Sequence, residues 1–294
     1  MRLKNGDFFK VLSLLSLAVL LLAGCGVNII TGGRDFLTGE TYPDADSYRI
    51  GGFVYTAEEV QQVEVYWRSG EVEIVESASG ELKVSESGAL PEDSAMHWLL
   101  EKGTLRIRFC GSGAQVATEP GDKHLTLEVP KGIALSIHGT AAVIRAEQLE
   151  QESILVSSHS GGIKLGTVRA ETVDLSSSAG AIEAESVAAR SLTCAASSGS
   201  VRMGDTAADE VKMKTSSGSV RLELAAAAQV EISTSSGMVM LSLPQGGAEV
   251  TYASGSGSLH TDAAYERRGD LYVFGAGESR IAVESSSGSL KITA

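Results

Sequence analysis

Between residues 137 and 257 a short phrase returns every 19 residues: a small polar run, a glycine, then two apolar residues spaced by two. Its clearest copies centre on Gly161, Gly180, Gly199, Gly218 and Gly237, as in Ser197-Ser198-Gly199-Ser200-Val201-Arg202-Met203. A fixed repeat of this length means stacked supersecondary units, none of which can bury its apolar side alone. Apolar residues fall two and four places after each glycine, as with Ile163 and Leu165, Val201 and Met203, or Val220 and Leu222. They return twelve and fourteen places after it, as with Val173 and Leu175, Leu192 and Cys194, or Val211 and Met213. A spacing of two belongs to a strand with one buried face, whereas a helix would space its apolar residues by three and four.

Each unit is therefore expected to be one coil: strand, corner, strand, serine–glycine corner. Such coils stack as an all-β, single-stranded β-solenoid (β-helix), each strand pairing with its equivalent one rung away at about 4.8 Å. The glycine supplies unusual backbone angles or close approach of neighbouring rungs. The serines hydrogen-bond backbone groups in the turn. A phosphate cradle would need a following helix, and strands follow here. The pattern also extends outward. Ala142 lies 19 residues before Gly161, Gly257 lies 20 after Gly237, and Gly288 heads the last copy. Arg68-Ser69-Gly70-Glu71-Val72-Glu73-Ile74 has the same form, which starts the pattern early.

The remaining segments divide the chain. Residues 1–24 place basic residues before the apolar run Val11 to Leu22, a secretory signal too short for a confident membrane span. The run ends in Leu22-Ala23-Gly24-Cys25, which resembles the bacterial lipoprotein signal. That resemblance implies diacylglycerol on Cys25 and attachment to the outer face of a membrane. Residues 25–47 read as the lipidated cysteine and a flexible tether. Residues 48–136 are an irregular β-rich cap that covers the first rung, since an open rung exposes unpaired strand edges. Both tryptophans, Trp67 and Trp98, lie there; a tryptophan-lined glycan site is the sharper alternative to a plug. Residues 137–262 are the regular rungs, and 263–294 a closing rung or hairpin.

A net charge of −13 over 294 residues argues against nucleic acid and bare anionic lipid as partners. Chemistry is sparse. The outward column Arg145, Lys164, Glu183, Arg202, Arg221 and Met240 is mixed in sign and offers no paired carboxylates for acid–base work. His97, His124, His138, His159 and His260 form no metal-binding spacing, and no CxxC pair is present. Cys194 occupies an inward position and reads as a small hydrophobe. Cys110 ends a strand; a bridge between the two cysteines would suit an extracytoplasmic protein. No catalytic, metal or cofactor site is expected.

The tandem serine–glycine phrases, the lipoprotein signal and the β-rich lead-in together resemble a bacterial envelope family of unknown function described as "putative adhesin". The resemblance covers residues 50–294. It implies a β-solenoid, an extracytoplasmic position and no catalytic residues. The expectation is a non-catalytic, surface-anchored module that binds or scaffolds a protein or polysaccharide. An envelope-stress sensor touching a membrane signalling protein is the alternative, and a carbohydrate-active enzyme a minor one.

Overall fold

The computed structural model of the chain describes residues 40–87, 91–114, 123–226 and 228–293. The signal segment, Cys25 and most of the expected tether lie outside the described residues. The first strands are β1 (Arg49–Ile50), β2 (Phe53–Thr56), β3 (Gln62–Trp67), β4 (Glu71–Glu76), β5 (Glu81–Glu86), β6 (His97–Glu101), β7 (Thr104–Arg108) and β8 (His124–Val129). The middle holds β9 (Ala134–Gly139), β10 (Val143–Glu150), β11 (Ser153–Ser158), β12 (Ile163–Ser177), β13 (Ile182–Ala196), β14 (Val201–Thr215), β15 (Val220–Leu224), β16 (Gln229–Thr234) and β17 (Val239–Ser242). The last are β18 (Gly247–Ser254), β19 (Leu259–Thr261), β20 (Glu266–Arg268), β21 (Leu271–Gly275), β22 (Ser279–Ser285) and β23 (Leu290–Thr293).

The all-β solenoid is present, and its register follows the repeat. Ile163 pairs with Ile182, Ile182 with Val201, Val201 with Val220, and Val220 with Val239. On the opposite side Ile154, Val173, Leu192, Val211 and Val230 form an equivalent column. Both columns are buried. Parallel in-register stacking puts like on like, so each column is a continuous apolar ladder.

The corner between the two strands of a coil is itself extended in the middle rungs. β12, β13 and β14 each run unbroken for 15 residues. This creates a third inward column, Leu149, Val168, Val187 and Thr206. Thr206 satisfies its hydroxyl internally, donating to the Gly204 carbonyl at 2.5 Å. These residues lie seven places after the corner position (Ala142, Gly161, Gly180, Gly199), where spacing by two from the glycine gives no warning of them.

Rung order in space departs from order in the chain at both ends. β22 lies between β16 and β18, and β23 between β17 and β19. The copy headed by Gly288 is thus an interior rung, and the Gly257 copy lies outside it. The expected closing role for 263–294 falls only to the hairpin β20–β21, which extends β18 in antiparallel fashion. At the other end β3 lies between β7 and β9, and β4 between β8 and β10. The Gly70 phrase is therefore a true rung, inserted between a later one and the regular stack.

The N-terminal cap is antiparallel on both sides. β6 and β1 extend β7, and β5 and β2 extend β8. The turn between β6 and β7 uses Lys102 and Gly103 at positive φ (50° and 79°), as a two-residue hairpin demands. The described residues of 48–136 are continuous with the solenoid, sharing its sheet and its core. Both tryptophans belong to that core. Trp67 is 1% exposed against Phe109, and Trp98 donates its indole N–H to the Gly51 carbonyl at 2.9 Å. A tryptophan-lined glycan site is thereby ruled out.

Candidate functional site

The serine–glycine corner is where the repeat is most exacting. A Cβ on Gly180 would lie 2.0 Å from the carbonyl oxygen of Gly161, and one on Gly199 2.0 Å from that of Gly180. The same overlap continues through Gly218, Gly237, Gly288 and Gly257, and Gly161 meets Ala142 at 1.8 Å. Close approach of stacked backbones is what excludes a side chain; none of these glycines needs a positive φ. At three of these corners a hydroxyl three residues before the glycine accepts from the glycine N–H. Thr234 does so for Gly237 (3.0 Å), Ser254 for Gly257 (2.8 Å) and Ser285 for Gly288 (2.6 Å). The two serines between them face solvent, as at Ser197, Ser198, Ser216 and Ser217. These phrases are structural corners.

The outward column continues past Met240 to Lys291 and His260 because of the rung order. Arg145 pairs with Glu71 at 2.8 Å and Arg221 with Glu223 at 2.9 Å. These pairs are half-exposed and contribute little to stability. The column brings no two carboxylates together.

Among the histidines, His138 has the most developed surroundings. Its Nδ1 lies 2.8 Å from the Ser157 hydroxyl and its Nε2 2.9 Å from that of Ser136. The ring stacks on Tyr66 at 4.9 Å, and Arg108 covers the other face of Tyr66 at 3.9 Å. Burial pushes the His138 pKa down, Glu64 opposes this and Arg108 adds to it. A catalytic serine–histidine pair needs a group that orients the base and stabilises its cation. Here both ring nitrogens are taken by hydroxyls. The cluster is a clamp across β3, β9 and β11.

Lys123 is the most unusual buried group. It occupies the corner position under Gly70, and its side chain, 1% exposed, enters the end of the core. Its ammonium pairs with Glu86 at 2.7 Å, donates to the carbonyls of Ser94 (2.7 Å) and Phe109, and faces the rings of Phe109 and Trp67. Burial lowers its pKa to about 7, and nearby Arg68 acts in the same direction. Two carbonyl acceptors and one carboxylate counter-charge surround the ammonium, so Lys123 seals the core.

Cys110 and Cys194 are both buried and free. Burial raises the pKa of each thiol, so neither is a ready nucleophile. Among the described residues no three His, Cys, Asp or Glu side chains converge to hold a metal ion. Nor does any described helix have the length and apolarity to cross a membrane. Surface aromatics gather instead at the far end, where Tyr252, Tyr265 and Tyr272 line an open cleft with Arg267. The alternation Tyr265, Arg267 was the available signal, but only the hairpin brings it beside Tyr252.

These features define a class: a capped β-solenoid with close-packed glycine corners, in a chain of net charge −13. The chain belongs to the Toastrack DUF4097 family, whose model matches residues 59–293. No curated protein matches it. Its fold is similar to a "putative adhesin" from Parabacteroides merdae ATCC 43184 (12% identity, 84% of this chain and 97% of that one, TM-score 0.52). It is similar also to a "putative adhesin" from Bacteroides fragilis NCTC 9343 (11% identity, 83% and 97%, TM-score 0.51). A "putative lipid binding protein" from Parabacteroides distasonis ATCC 8503 shares the fold too (16% identity, 82% and 96%, TM-score 0.51).

Proposed function

We propose that this protein is a non-catalytic, lipid-anchored module of the bacterial cell envelope that binds a protein or polysaccharide at the cell surface. The polarity of the rod carries this reading. The described chain begins at the cap, where Glu40 pairs with Arg108 at 3.2 Å and the Tyr42 hydroxyl donates to the Cys110 carbonyl at 3.1 Å. A lipid on Cys25 would tether that end, and the opposite end would project on the order of 45 Å outward, at about 4.8 Å per rung. The adhesin descriptions of the structural neighbours agree with this role, and the net charge of −13 disfavours nucleic acid.

Two experiments test it. Cys25→Ser should move the protein from the membrane fraction to the soluble one; persistent membrane association would contradict the anchor. Photo-reactive groups at Arg202 and Arg221 on intact cells should capture surface polymer, foreign surface material or sister copies. Capture of one membrane signalling protein of the same cell would favour the envelope-stress sensor instead. Turnover of a glycan panel would remove the non-catalytic reading.

A further inference from the structure

The two sides of the solenoid end at different heights. On one side β18 is extended by β21 and β20. On the other, β19 is the outermost strand among the described residues, paired only inward to β23. The result is a step at the end of the rod away from the cap. Its floor is the last rung, with Tyr252, Ser254, Gly257 and Leu259; its wall is the hairpin, with Tyr265, Arg267 and Tyr272. The step encloses a cleft of about 330 Å³.

The wall is built for contact. Tyr265 is 48% exposed, although its ring lies 5.4 Å from Tyr272 and 5.6 Å from Phe274. Arg267 stacks over Tyr272 at 5.4 Å and donates from Nε to the Gly269 carbonyl at 3.1 Å. The neighbouring carboxylate of Glu266 is held by Arg268 at 2.7 Å. Among the described residues Arg267 is thus the one charged group lining the cleft, so the local charge there is positive although the chain as a whole carries −13. The Tyr252 hydroxyl is committed to the Gly288 carbonyl at 2.6 Å, which fixes the floor.

We propose that this cleft binds an anionic carbohydrate, a sugar polymer that carries carboxylate or phosphate groups. An exposed ring offers a stacking face to a sugar's C–H surface, and a guanidinium pairs with either anion in bidentate fashion. The exposed lining is mainly polar, which suits a hydroxylated ligand better than an acyl chain. The inference rests on the reading of the protein as a binding module and names its site and ligand class.

Affinity electrophoresis of the full chain in detergent tests it, with polygalacturonate, a phosphomannan, neutral dextran and a Val-Thr repeat peptide as probes. Retardation by at least one anionic polymer and not by dextran is expected, and the two anionic probes separate carboxylate from phosphate. Arg267→Gln should weaken that binding about tenfold, and Tyr265→Ala by a similar factor. Lys212→Gln, exposed on the side of the rod, should leave it unchanged. Binding kept in full by the two cleft variants would overturn the cleft while preserving a binding module. Failure of both anionic polymers, or binding of the peptide alone, would overturn the ligand class.

Discussion

The carbonyl oxygen of Gly218 lies 1.9 Å from the point where a Cβ on Gly237 would sit. No rotamer change relieves that overlap, because both atoms belong to backbone. Gly237→Ala must push two rungs apart and should cost about 3 kcal/mol, the upper part of the usual overpacking range. Gly269→Ala is the control: it has φ +66° and nothing within 4 Å, so only backbone strain of about 1–2 kcal/mol applies. Urea unfolding compares the two, and equal losses would refute the close-packing account.

Val220 is fully buried in the ladder between Val201 and Val239. Val220→Asp buries a lone carboxylate, a cost of several kcal/mol or more. The expected outcome is loss of the cooperative transition seen by circular dichroism. Unchanged melting would place Val220 outside the core.

Rung order makes a prediction that chain order does not. Leu290 is fully buried between Val239 and Leu259, although only four residues of the sequence follow it. Leu290→Ala should cost about 3 kcal/mol, as in a central rung. Leu259→Ala, in the outermost rung, should cost about 1 kcal/mol, because the side chain is only part-buried. The reverse ranking would mean the rungs stack in sequence order.

Removing the charge of Lys123 leaves Glu86 buried without its partner. Lys123→Met should therefore destabilise by about 3–5 kcal/mol, and adding Glu86→Gln should restore much of the loss. A double variant no more stable than the single one would show that the pair does not act as a unit.

His138 imposes a pH dependence. Its pKa is depressed in the folded state by burial, so the unfolded chain binds the proton first as pH falls. Its contribution is intact above the ordinary histidine pKa of about 6.5 and is lost as pH drops through the lower folded value. Stability should fall between pH 7 and 5, and His138→Gln should flatten that slope. An unchanged slope would assign the acid sensitivity to other groups.

The buried columns were legible because spacing by two around a fixed glycine leaves no other regular structure that buries Val, Ile and Leu on one side. The serine–glycine corners were legible for the same reason. The third column was not: Leu149, Val168 and Val187 become inward-facing only because the chain stays extended through the bend. The Trp67 and Trp98 environments and the Lys123 seal depend on contacts between segments tens of residues apart. The cleft depends on a hairpin that follows β19 in sequence yet extends β18 on the other side.

The sequence by itself determined that the chain coils, which residues of the two strand ladders point inward, and where only glycine fits; each is set within one repeat by local geometry. Only the tertiary structure decided the order of the rungs at the two ends. Each rung presents nearly the same apolar ladder and the same backbone edge, so Gly237 can stack equally well beneath the Gly257 copy or the Gly288 copy. The choice falls to the turns and hairpins that connect them, and those insert the Gly288 rung and leave one side of the solenoid short.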